Sequence, residues 1–228
     1  MSSANKKAKN SKKQSSKFLF WIIGFVTICL VGLIFLSNNA KKEAIDYAGQ
    51  PFLGEKSAPV KIVEFGDYKC PYCKNFNDSL LPSIEKDFID TGKASLYFIN
   101  YSFINVDSTR SAKFAEAVFN ELGNETFWKF HELLYEKQPE DTKAEQMDVY
   151  TESFLKGTLR EIVSDAEVNK VVNAFNNDEP REAWEKDMST ASKLSITSTP
   201  AIYINDVKFE GNTYNDFKER VNEATKER

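Results

Sequence analysis

The chain has 228 residues, of which 34 are acidic and 30 basic, and its formal net charge is −4. Six of the lysines, and no acidic residue, lie in residues 1–37, so the remainder has 24 basic and 34 acidic residues and a net charge of −10. Because contacts to phosphates need a basic surface, this acidic main body excludes nucleic acid from the expected partners.

An uncharged apolar segment occupies residues 18–36. As a helix its 19 residues would span ~28 Å, close to the hydrocarbon thickness of a bilayer. The six lysines precede it, which places the basic segment 1–17 in the cytoplasm and the rest of the chain outside. A cleaved signal peptide is the alternative, but "NNA" at 38–40 is a poor cleavage site. The sequence therefore favours an uncleaved single-pass anchor in the cell membrane, which contains Cys29, followed by a linker at 37–50.

The first elements after the linker follow a strand–helix–strand pattern. "PVKIVEF" at 59–65 is largely apolar and rich in β-branched residues, which predicts a buried strand. Residues 70–90 read as a helix ended by Gly92, and Pro82 within it should kink or interrupt it. The aromatic run at 94–103 predicts a second strand.

A helical block follows, and the strand pattern returns only near the end of the chain. Helical periodicity is present at 110–122, 125–138 and 167–177, and Gly123 should end the first of these helices. The apolar stripes predicted to face the core contain Ala112, Ala115, Phe119, Leu122, Phe127, Phe130, Leu134, Val168, Val171, Val172 and Phe175. A hairpin around Asn205-Asp206 and a final helix with Tyr214, Phe217 and Val221 on one side complete the pattern. The order predicts an α/β fold with a helical insertion.

Two cysteines in "CPYC", Cys70 and Cys73, are the only thiols after the apolar segment. A structural zinc site usually needs four Cys or His ligands. The only histidine, His131, lies in an aromatic helical pattern where a packed or capped imidazole is the favoured interpretation, so a metal role for the pair is disfavoured. A structural disulfide across two intervening residues would remove little freedom from the unfolded chain.

Redox chemistry suits the pair better. Cys70 follows a strand and begins a helix, so unpaired N–H groups and the positive end of the helix dipole should face its sulfur and lower its pKa. Pro71 fits the first helical position. Cys73, one turn further in, should be less exposed and act as the resolving thiol. Lys69 is expected to be a solvated lysine that adds at most some positive potential.

Three stretches, "APVKIVEFGDYKCPYCKNF", "FWKFHELLYEKQ" and "TSTPAIYIND", resemble the DsbA branch of the thioredoxin superfamily, and within it the membrane-anchored BdbD-type proteins of Gram-positive bacteria. The likeness runs from about Gln50 to the C-terminus. It implies a thioredoxin-like domain formed by 51–104 and 195–228, with an all-helical insertion at 105–194. The whole chain is then a thioredoxin fold with an inserted helical domain, preceded by one transmembrane helix.

The resemblance also implies roles for individual residues. Cys70 matches the exposed nucleophile and Cys73 the buried cysteine. Pro200, preceded by Thr199, matches a cis-proline that faces the cysteines and takes part in substrate docking. Glu64 matches an acid buried beneath the site, although its residue type alone equally fits an outward-facing edge glutamate. Ser198 departs from the glycine of many relatives, which affects how peptides dock.

These features predict an extracytoplasmic thiol–disulfide oxidoreductase that introduces disulfides into exported proteins by exchange at Cys70–Cys73. The alternatives are a thiol reductase or disulfide isomerase using the same pair, or a peptide-binding, chaperone-like module. The expected partners are reduced or unfolded exported proteins, the membrane through residues 18–36, and, by resemblance, a quinone-linked membrane protein that reoxidises the pair. No cofactor beyond the redox-active disulfide is required. Some relatives carry calcium, but no EF-hand spacing is present and the sequence assigns no ligands.

Overall fold

The computed structural model describes residues 20–27 and 44–226. Residues 20–27 are helical and belong to a separate unit from the compact unit that begins at Glu43. Within the two described ranges, no helix has both the length and the apolar character needed to cross a bilayer. Most of the predicted anchor at 18–36, including Cys29, and the first part of the linker lie outside the described residues.

A five-stranded mixed sheet forms the centre of the compact unit. Its order is β1–β3–β2–β4–β5; β2 and β3 are parallel and the other neighbours are antiparallel. The strands are β1 (Phe52–Leu53), β2 (Val60–Gly66), β3 (Ala94–Asn100), β4 (Ala201–Ile204) and β5 (Val207–Lys208). The predicted strands are confirmed, although the second ends at Asn100 because the chain leaves the sheet there. The two-residue β1 was not predicted.

The crossover between β2 and β3 is a segmented helix over residues 71–89. Its consecutive parts are α1 (Pro71–Asn75), a π-helical turn (Phe76–Leu80), α2 (Leu81–Ile84) and a second π-helical turn (Glu85–Ile89). The prediction that Pro82 disturbs the helix is confirmed: π-helical turns lie on both sides of α2, and the chain is not sharply broken. Proline lacks the N–H that an α-helical bond would need, and Leu81 N–H donates five residues back to Phe76 O. Gly92, with a φ of 68°, ends the run as predicted.

The helices between β3 and β4 form the insertion, and one more helix follows the sheet. They are α3 (Val106–Glu136), a 3₁₀ turn (Thr142–Gln146), α4 (Glu152–Leu159), α5 (Asp165–Asn176), α6 (Arg181–Lys193) and, after β5, α7 (Tyr214–Lys226). Gly123 (φ 82°, ψ −179°) is non-helical, so it separates two helices that join in α3, as predicted. The α/β layout with inserted helices is confirmed. Two helices were not predicted: α4, which is short, and α6, whose buried residues are only Asp187 and Ala191.

Alternation along β2 determines what lies on each face of the sheet. Val60 and Ile62 belong to the larger hydrophobic cluster, which also contains the segmented helix and α3. Val63 and Phe65 belong to a smaller cluster on the other face. Because side chains two residues apart share a face of a strand, Glu64 lies on the same face as Val60 and Ile62. A glutamate therefore faces the segmented helix from the middle of the sheet.

The hairpin between β4 and β5 has the turn that its sequence predicts. Asn205 and Asp206 both have positive φ angles, 48° and 62°, as a two-residue type I′ turn requires. Asn205 Oδ1 accepts a hydrogen bond from Lys61 N at 2.8 Å, and Asp206 Oδ1 accepts one from Tyr47 Oη at 2.7 Å. The turn thereby fixes the end of β4 against β2, and β4 is the strand that directly follows Pro200.

Candidate active site

Cys70 and Cys73 lie where β2 leads into the segmented helix. Cys70 is the N-cap of α1, with an extended backbone (φ −79°, ψ 118°), and Pro71 lies in the first helical turn. The backbone N–H groups of Cys73 and Lys74 donate to Cys70 O at 3.1 and 3.2 Å. Both cysteines are free thiols. The predicted placement of the pair at a strand-to-helix junction is confirmed.

Both cysteines are buried, and Cys70 is more enclosed than the resemblance implied. Cys73 has no exposed surface, as predicted for the deeper cysteine. Cys70, expected to be exposed, is only 4% exposed. The segment before β4 lies against it, and Cys70 Sγ is 3.3 Å from Thr199 O, to which Cys70 donates in its protonated form. A substrate sulfur can therefore reach Cys70 only through a small opening.

The segment that approaches Cys70 contains a cis peptide bond between Thr199 and Pro200, as the resemblance implied. Thr199, Pro200 and the exposed Ser198 line a cavity of about 510 Å³, which also borders Tyr72 of α1. Tyr72 is 72% exposed, a large fraction for an aromatic side chain. The rest of the lining is mostly apolar and includes Phe76, Leu80, Ile84, Ile202, Phe209 and Phe217. An open, largely apolar groove thus runs next to the cysteine pair.

The two thiols differ strongly in acidity. The pKa of Cys70 is lowered to about 6, mainly by a hydrogen bond from the Cys73 thiol. Smaller contributions come from the Thr199 side chain and from the backbone N–H groups of Cys73 and Tyr72, while burial acts in the opposite direction. Burial, followed by the bond to Cys70 and the proximity of Glu64, raises the pKa of Cys73 well above its usual range. At neutral pH Cys70 is therefore mostly a thiolate, whereas Cys73 keeps its proton.

Glu64 lies on the central strand beneath the pair and has no exposed surface. The alternative of an outward-facing edge glutamate is wrong, because β2 has a neighbouring strand on each side. Burial raises the pKa of Glu64 well above its ordinary value, while hydrogen bonds from Asn77 act in the opposite direction. Both Glu64 oxygens accept from Asn77 Nδ2 at 3.3 Å. The carboxyl group is thus stabilised in its neutral form next to Cys73.

A chain of hydrogen bonds continues from Glu64 through the half-buried Asn77 to the inserted helices. Asn77 Nδ2 also donates to Cys73 O at 3.0 Å, and Asn77 Oδ1 lies 2.9 Å from His131 Nε2. His131 Nδ1 lies 3.1 Å from Tyr68 Oη. His131 of α3 is therefore connected to Glu64 of β2 through a single amide side chain.

Of the two predicted states of His131, packed or capped, the packed one is confirmed. Its ring has no exposed surface and makes edge contacts with aromatic rings, among them Phe98, Trp128 and Tyr135, at centroid distances of 4.6, 4.8 and 4.9 Å. Burial lowers the pKa of His131 to about 3, so the ring is neutral. Among the described residues, no group of three or more His, Cys, Asp or Glu side chains could hold a metal ion.

Lys69 is buried rather than solvated, so the expectation of a solvated lysine is wrong. Its residue is 4% exposed. Its ammonium group binds Asp107 Oδ2 at 3.0 Å and Met147 O at 2.7 Å, and it also donates to the carbonyl of Ala144. An ammonium group can be removed from water only when it is paired in this way. Lys69 therefore joins the start of the segmented helix to the insertion through its side chain.

A second buried polar cluster lies where β3 meets α3 and α6. Asp187 accepts from Gln50 Nε2 at 2.6 Å and from Asn100 N at 2.9 Å, and Glu116 accepts from Asn100 Nδ2 at 2.7 Å. Burial and the repulsion from Asp187 raise the pKa of Glu116 well above its ordinary value, and burial raises the pKa of Asp187 to about 6. The amide oxygens of Gln50 and Asn100 are buried with no hydrogen-bond partner.

Sequence reasoning did not identify Asn77 or the members of this second cluster. Asn77 lies four residues after Cys73, so helical spacing places both on one face, and that spacing was an available signal. Gln50, Asn100, Glu116 and Asp187 come from four separate parts of the chain. No local pattern connects them, and only the folded arrangement shows that they meet.

Comparisons with known proteins agree with the fold. A family profile described as Thioredoxin matches residues 47–223. The chain is 37% identical over 190 residues to Disulfide bond formation protein D of Bacillus subtilis, covering 83% of each chain. It is 34% identical over 200 residues to Probable disulfide bond formation protein D of Bacillus anthracis, covering 85% of this chain and 90% of that protein.

Solved structures show the same likeness. The crystal structure of oxidised BdbD from Bacillus subtilis superposes with a TM-score of 0.73 at 35% identity, covering 80% of this chain and 96% of that one. Chlamydia trachomatis DsbA has a TM-score of 0.67 at 21% identity, covering 80% and 93%, and at that identity it supports the fold alone.

The difference in acidity between the thiols predicts a titration curve for the reduced protein. Thiolate absorbance in the ultraviolet should rise with a midpoint near pH 6 because of the hydrogen bonds to Cys70. Because an unfolded thiol ionises only near about pH 8.5, the lowered pKa stabilises the folded, reduced protein against unfolding. The free energy of unfolding of the reduced form, measured relative to that of the oxidised form, should rise between about pH 6 and about pH 8.5. This gain should be lost as the pH falls through 6.

Two variants control this titration. Cys70→Ser should remove the step near pH 6, since the remaining Cys73 titrates well above the usual range. Cys73→Ser retains Cys70 but loses the hydrogen bond from the Cys73 thiol. Its midpoint should therefore lie above that of the unchanged protein and still below that of an ordinary thiol. A single step near about pH 8.5 in the reduced protein would show that the site does not activate Cys70.

Proposed function

Because the chain belongs to the thioredoxin family, and within it to the DsbA-like protein thiol–disulfide oxidoreductases, we propose that it donates a Cys70–Cys73 disulfide to exported proteins outside the cytoplasm. The observation that carries the proposal is the contrast between the two thiols: the pKa of Cys70 is lowered to about 6 and that of Cys73 is raised. A pair of this kind is more stable as the dithiol, so its disulfide is a strong oxidant.

The exchange takes place in two steps. A substrate thiolate attacks Cys70 Sγ, the Cys70–Cys73 bond breaks, and its electron pair passes to Cys73, which takes up a proton. A second thiolate of the substrate then attacks the substrate sulfur of the mixed disulfide. The bond from that sulfur to Cys70 breaks, and Cys70 leaves as a thiolate. The substrate loses two electrons and gains a disulfide, and the enzyme becomes the dithiol. The low pKa of Cys70 makes it the better leaving group in the second step.

Substrate docking is assigned to the groove beside the pair. Thr199 and Pro200 line the groove, and the backbone carbonyl of Thr199 lies 3.3 Å from Cys70 Sγ. An extended, unfolded segment with apolar side chains fits such a surface, because its apolar groups leave water on binding. The exposed Ser198, where many relatives have glycine, lies at the same surface and is proposed to modulate docking.

The enzyme needs a partner that removes the two electrons from the dithiol. The family resemblance supports a quinone-linked membrane protein in this role. The apolar segment at 18–36 and the lysines before it support an anchor in the cell membrane with the cysteine pair on the outer side. This placement would hold the pair close to both the exported substrates and a membrane partner.

Loss of one sulfur tests the proposed reaction. Cys70→Ser should abolish the oxidation of a reduced test protein, because no disulfide can form in the enzyme. Incubated instead with a test protein that already contains a disulfide, Cys73→Ser should accumulate a mixed disulfide, because the Cys70 thiolate attacks the substrate disulfide, releases one substrate thiolate and is no longer displaced by Cys73. The mixed disulfide is visible as a shifted band on non-reducing gels. Cys29→Ser, which changes a thiol outside the pair, serves as the control and should keep full activity. A refolding yield that Cys70→Ser leaves unchanged would instead support a peptide-binding module.

A structural calcium ion, carried by some relatives, fits the buried cluster around Asp187. Calcium prefers oxygen ligands, and Gln50, Asn100, Glu116 and Asp187 each contribute a side chain with oxygen atoms. The amide nitrogens of Gln50 and Asn100 now face carboxylates, and both amide oxygens lack partners. We propose that a cation between these groups would neutralise the two carboxylates and give both orphaned oxygens a partner. Its contribution would be structural.

Calcium should therefore raise the melting temperature of the protein. At about 100 times the dissociation constant the gain is ~2.7 kcal/mol, or roughly 5–10 °C for a domain of this size. Asp187→Asn should abolish the response by removing a charged ligand, whereas Asp90→Asn, at an exposed position after the segmented helix, should not. Equal melting temperatures in calcium and in chelator would contradict the assignment.

A further inference from the structure

We propose that Asn77, fixed by His131, is a positioning residue that holds the Glu64 carboxyl as the proton acceptor and donor for Cys73. Asn77 Nδ2 lies 3.3 Å from both Glu64 oxygens and 3.0 Å from Cys73 O, and Asn77 Oδ1 lies 2.9 Å from His131 Nε2. The inference rests on the proposed function, because it concerns the proton that the thiol–disulfide exchange must move at Cys73.

The partners of Asn77 determine the orientation of its amide. Cys73 O can only accept a hydrogen bond, so the atom 3.0 Å from it must be the amide nitrogen. The amide oxygen then faces His131 Nε2, so the proton of the neutral ring is on Nε2, and His131 Nδ1 accepts from the Tyr68 hydroxyl. In this orientation the amide presents N–H to Glu64.

This orientation favours the proton transfer that the reaction requires. When Cys73 attacks a mixed disulfide at Cys70, its thiol proton must leave, and the Glu64 carboxylate can accept it. When the Cys70–Cys73 disulfide is reduced, the Cys73 sulfur becomes anionic, and the Glu64 carboxyl can return a proton. The N–H groups of Asn77 stabilise the carboxylate form, whereas burial opposes it. With Asn77 in place, the carboxyl group can therefore change between both states.

The other ionisable groups that face Glu64 do not replace this contribution. The segmented helix contributes Cys73 and the N-cap Cys70, whose negative charge favours a protonated Glu64. Tyr68 precedes that helix and Tyr135 comes from α3; burial, and to a smaller extent the Glu64 charge, raises the pKa of both phenols well above the usual range, so both stay neutral. Opposite Glu64, β3 has Phe98 and β4 has Ile202, neither of which ionises. By contrast, the amide nitrogen of Asn77 lies within hydrogen-bond distance of both Glu64 oxygens and donates to them.

The test follows the step in which Cys73 leaves its thiol form. A coloured aromatic thiol is coupled to Cys70 as a mixed disulfide in the full chain, and its release by Cys73 is recorded across a range of pH. Asn77→Ala should slow release about tenfold at neutral pH and shift the pH midpoint upward by about one unit, since Glu64 then ionises less readily. Asn173→Ala, an exposed asparagine on α5, is the matched control and should change neither quantity.

A second background separates positioning from a general structural effect. In Glu64→Gln no carboxyl remains for Asn77 to hold, so adding Asn77→Ala should cause no further loss of rate or shift of midpoint. Equal losses in both backgrounds, or an unshifted pH profile in Asn77→Ala alone, would overturn the proposal. Release from Cys70 does not depend on the net direction of electron flow, so this outcome is separate from the failure of the oxidase proposal.

Variants of His131 provide a second readout if Asn77→Ala folds poorly. His131→Gln retains an N–H that can donate to Asn77 Oδ1 and should keep the pH midpoint near that of the unchanged protein. His131→Leu leaves the amide without this donor and should shift the midpoint in the same direction as Asn77→Ala. Circular dichroism confirms that each variant is folded. Identical profiles for the two His131 variants would contradict the assigned role.

Discussion

One hydrogen bond, from the Cys73 thiol to the Cys70 sulfur, makes the largest contribution to lowering the pKa of Cys70 to about 6. The cap position at α1 adds backbone N–H groups to the same sulfur, while burial acts against them. Cys73 lies one turn deeper, where burial is the main cause that keeps it protonated. The two sulfurs therefore differ in charge at neutral pH although they are three residues apart. This difference assigns the leaving group to Cys70 and the resolving thiol to Cys73, and the other features of the site maintain it.

The difference in charge between Cys70 and Cys73 depends on an interior in which the buried ionisable groups are either neutral or paired. Glu64 and His131 have no exposed surface, and burial shifts both toward their neutral forms. Each has a defined hydrogen-bond partner in Asn77, which limits the cost of removing it from water. Lys69 differs from Glu64 and His131, because its buried ammonium group forms an ion pair with the carboxylate of Asp107. The inserted helices thus contribute His131 and Asp107 to the base of the site, in addition to covering one face of the sheet.

The sequence predicted the parts of the structure that local patterns encode. The strand before Cys70, the helix start at Pro71 and the Asn205-Asp206 turn follow from β-branched content, the position of proline and the turn residues. The burial of Lys69 could not be predicted in this way, because it depends on Asp107, which lies 38 residues away in sequence. Glu64 was equally ambiguous, since a charged residue in an apolar strand is buried or exposed according to which strands pair on either side. Contacts between distant segments decide both cases.

The central claim is that the folded protein stabilises its dithiol and so oxidises its substrates. The most direct measurement is the equilibrium of the Cys70–Cys73 pair with a series of glutathione buffers at neutral pH, followed by trapping of free thiols. We expect a reduction potential well above that of thioredoxin, toward the roughly −120 mV of strong disulfide donors. A potential near roughly −270 mV, as in thioredoxin, would identify a reductase and contradict the account.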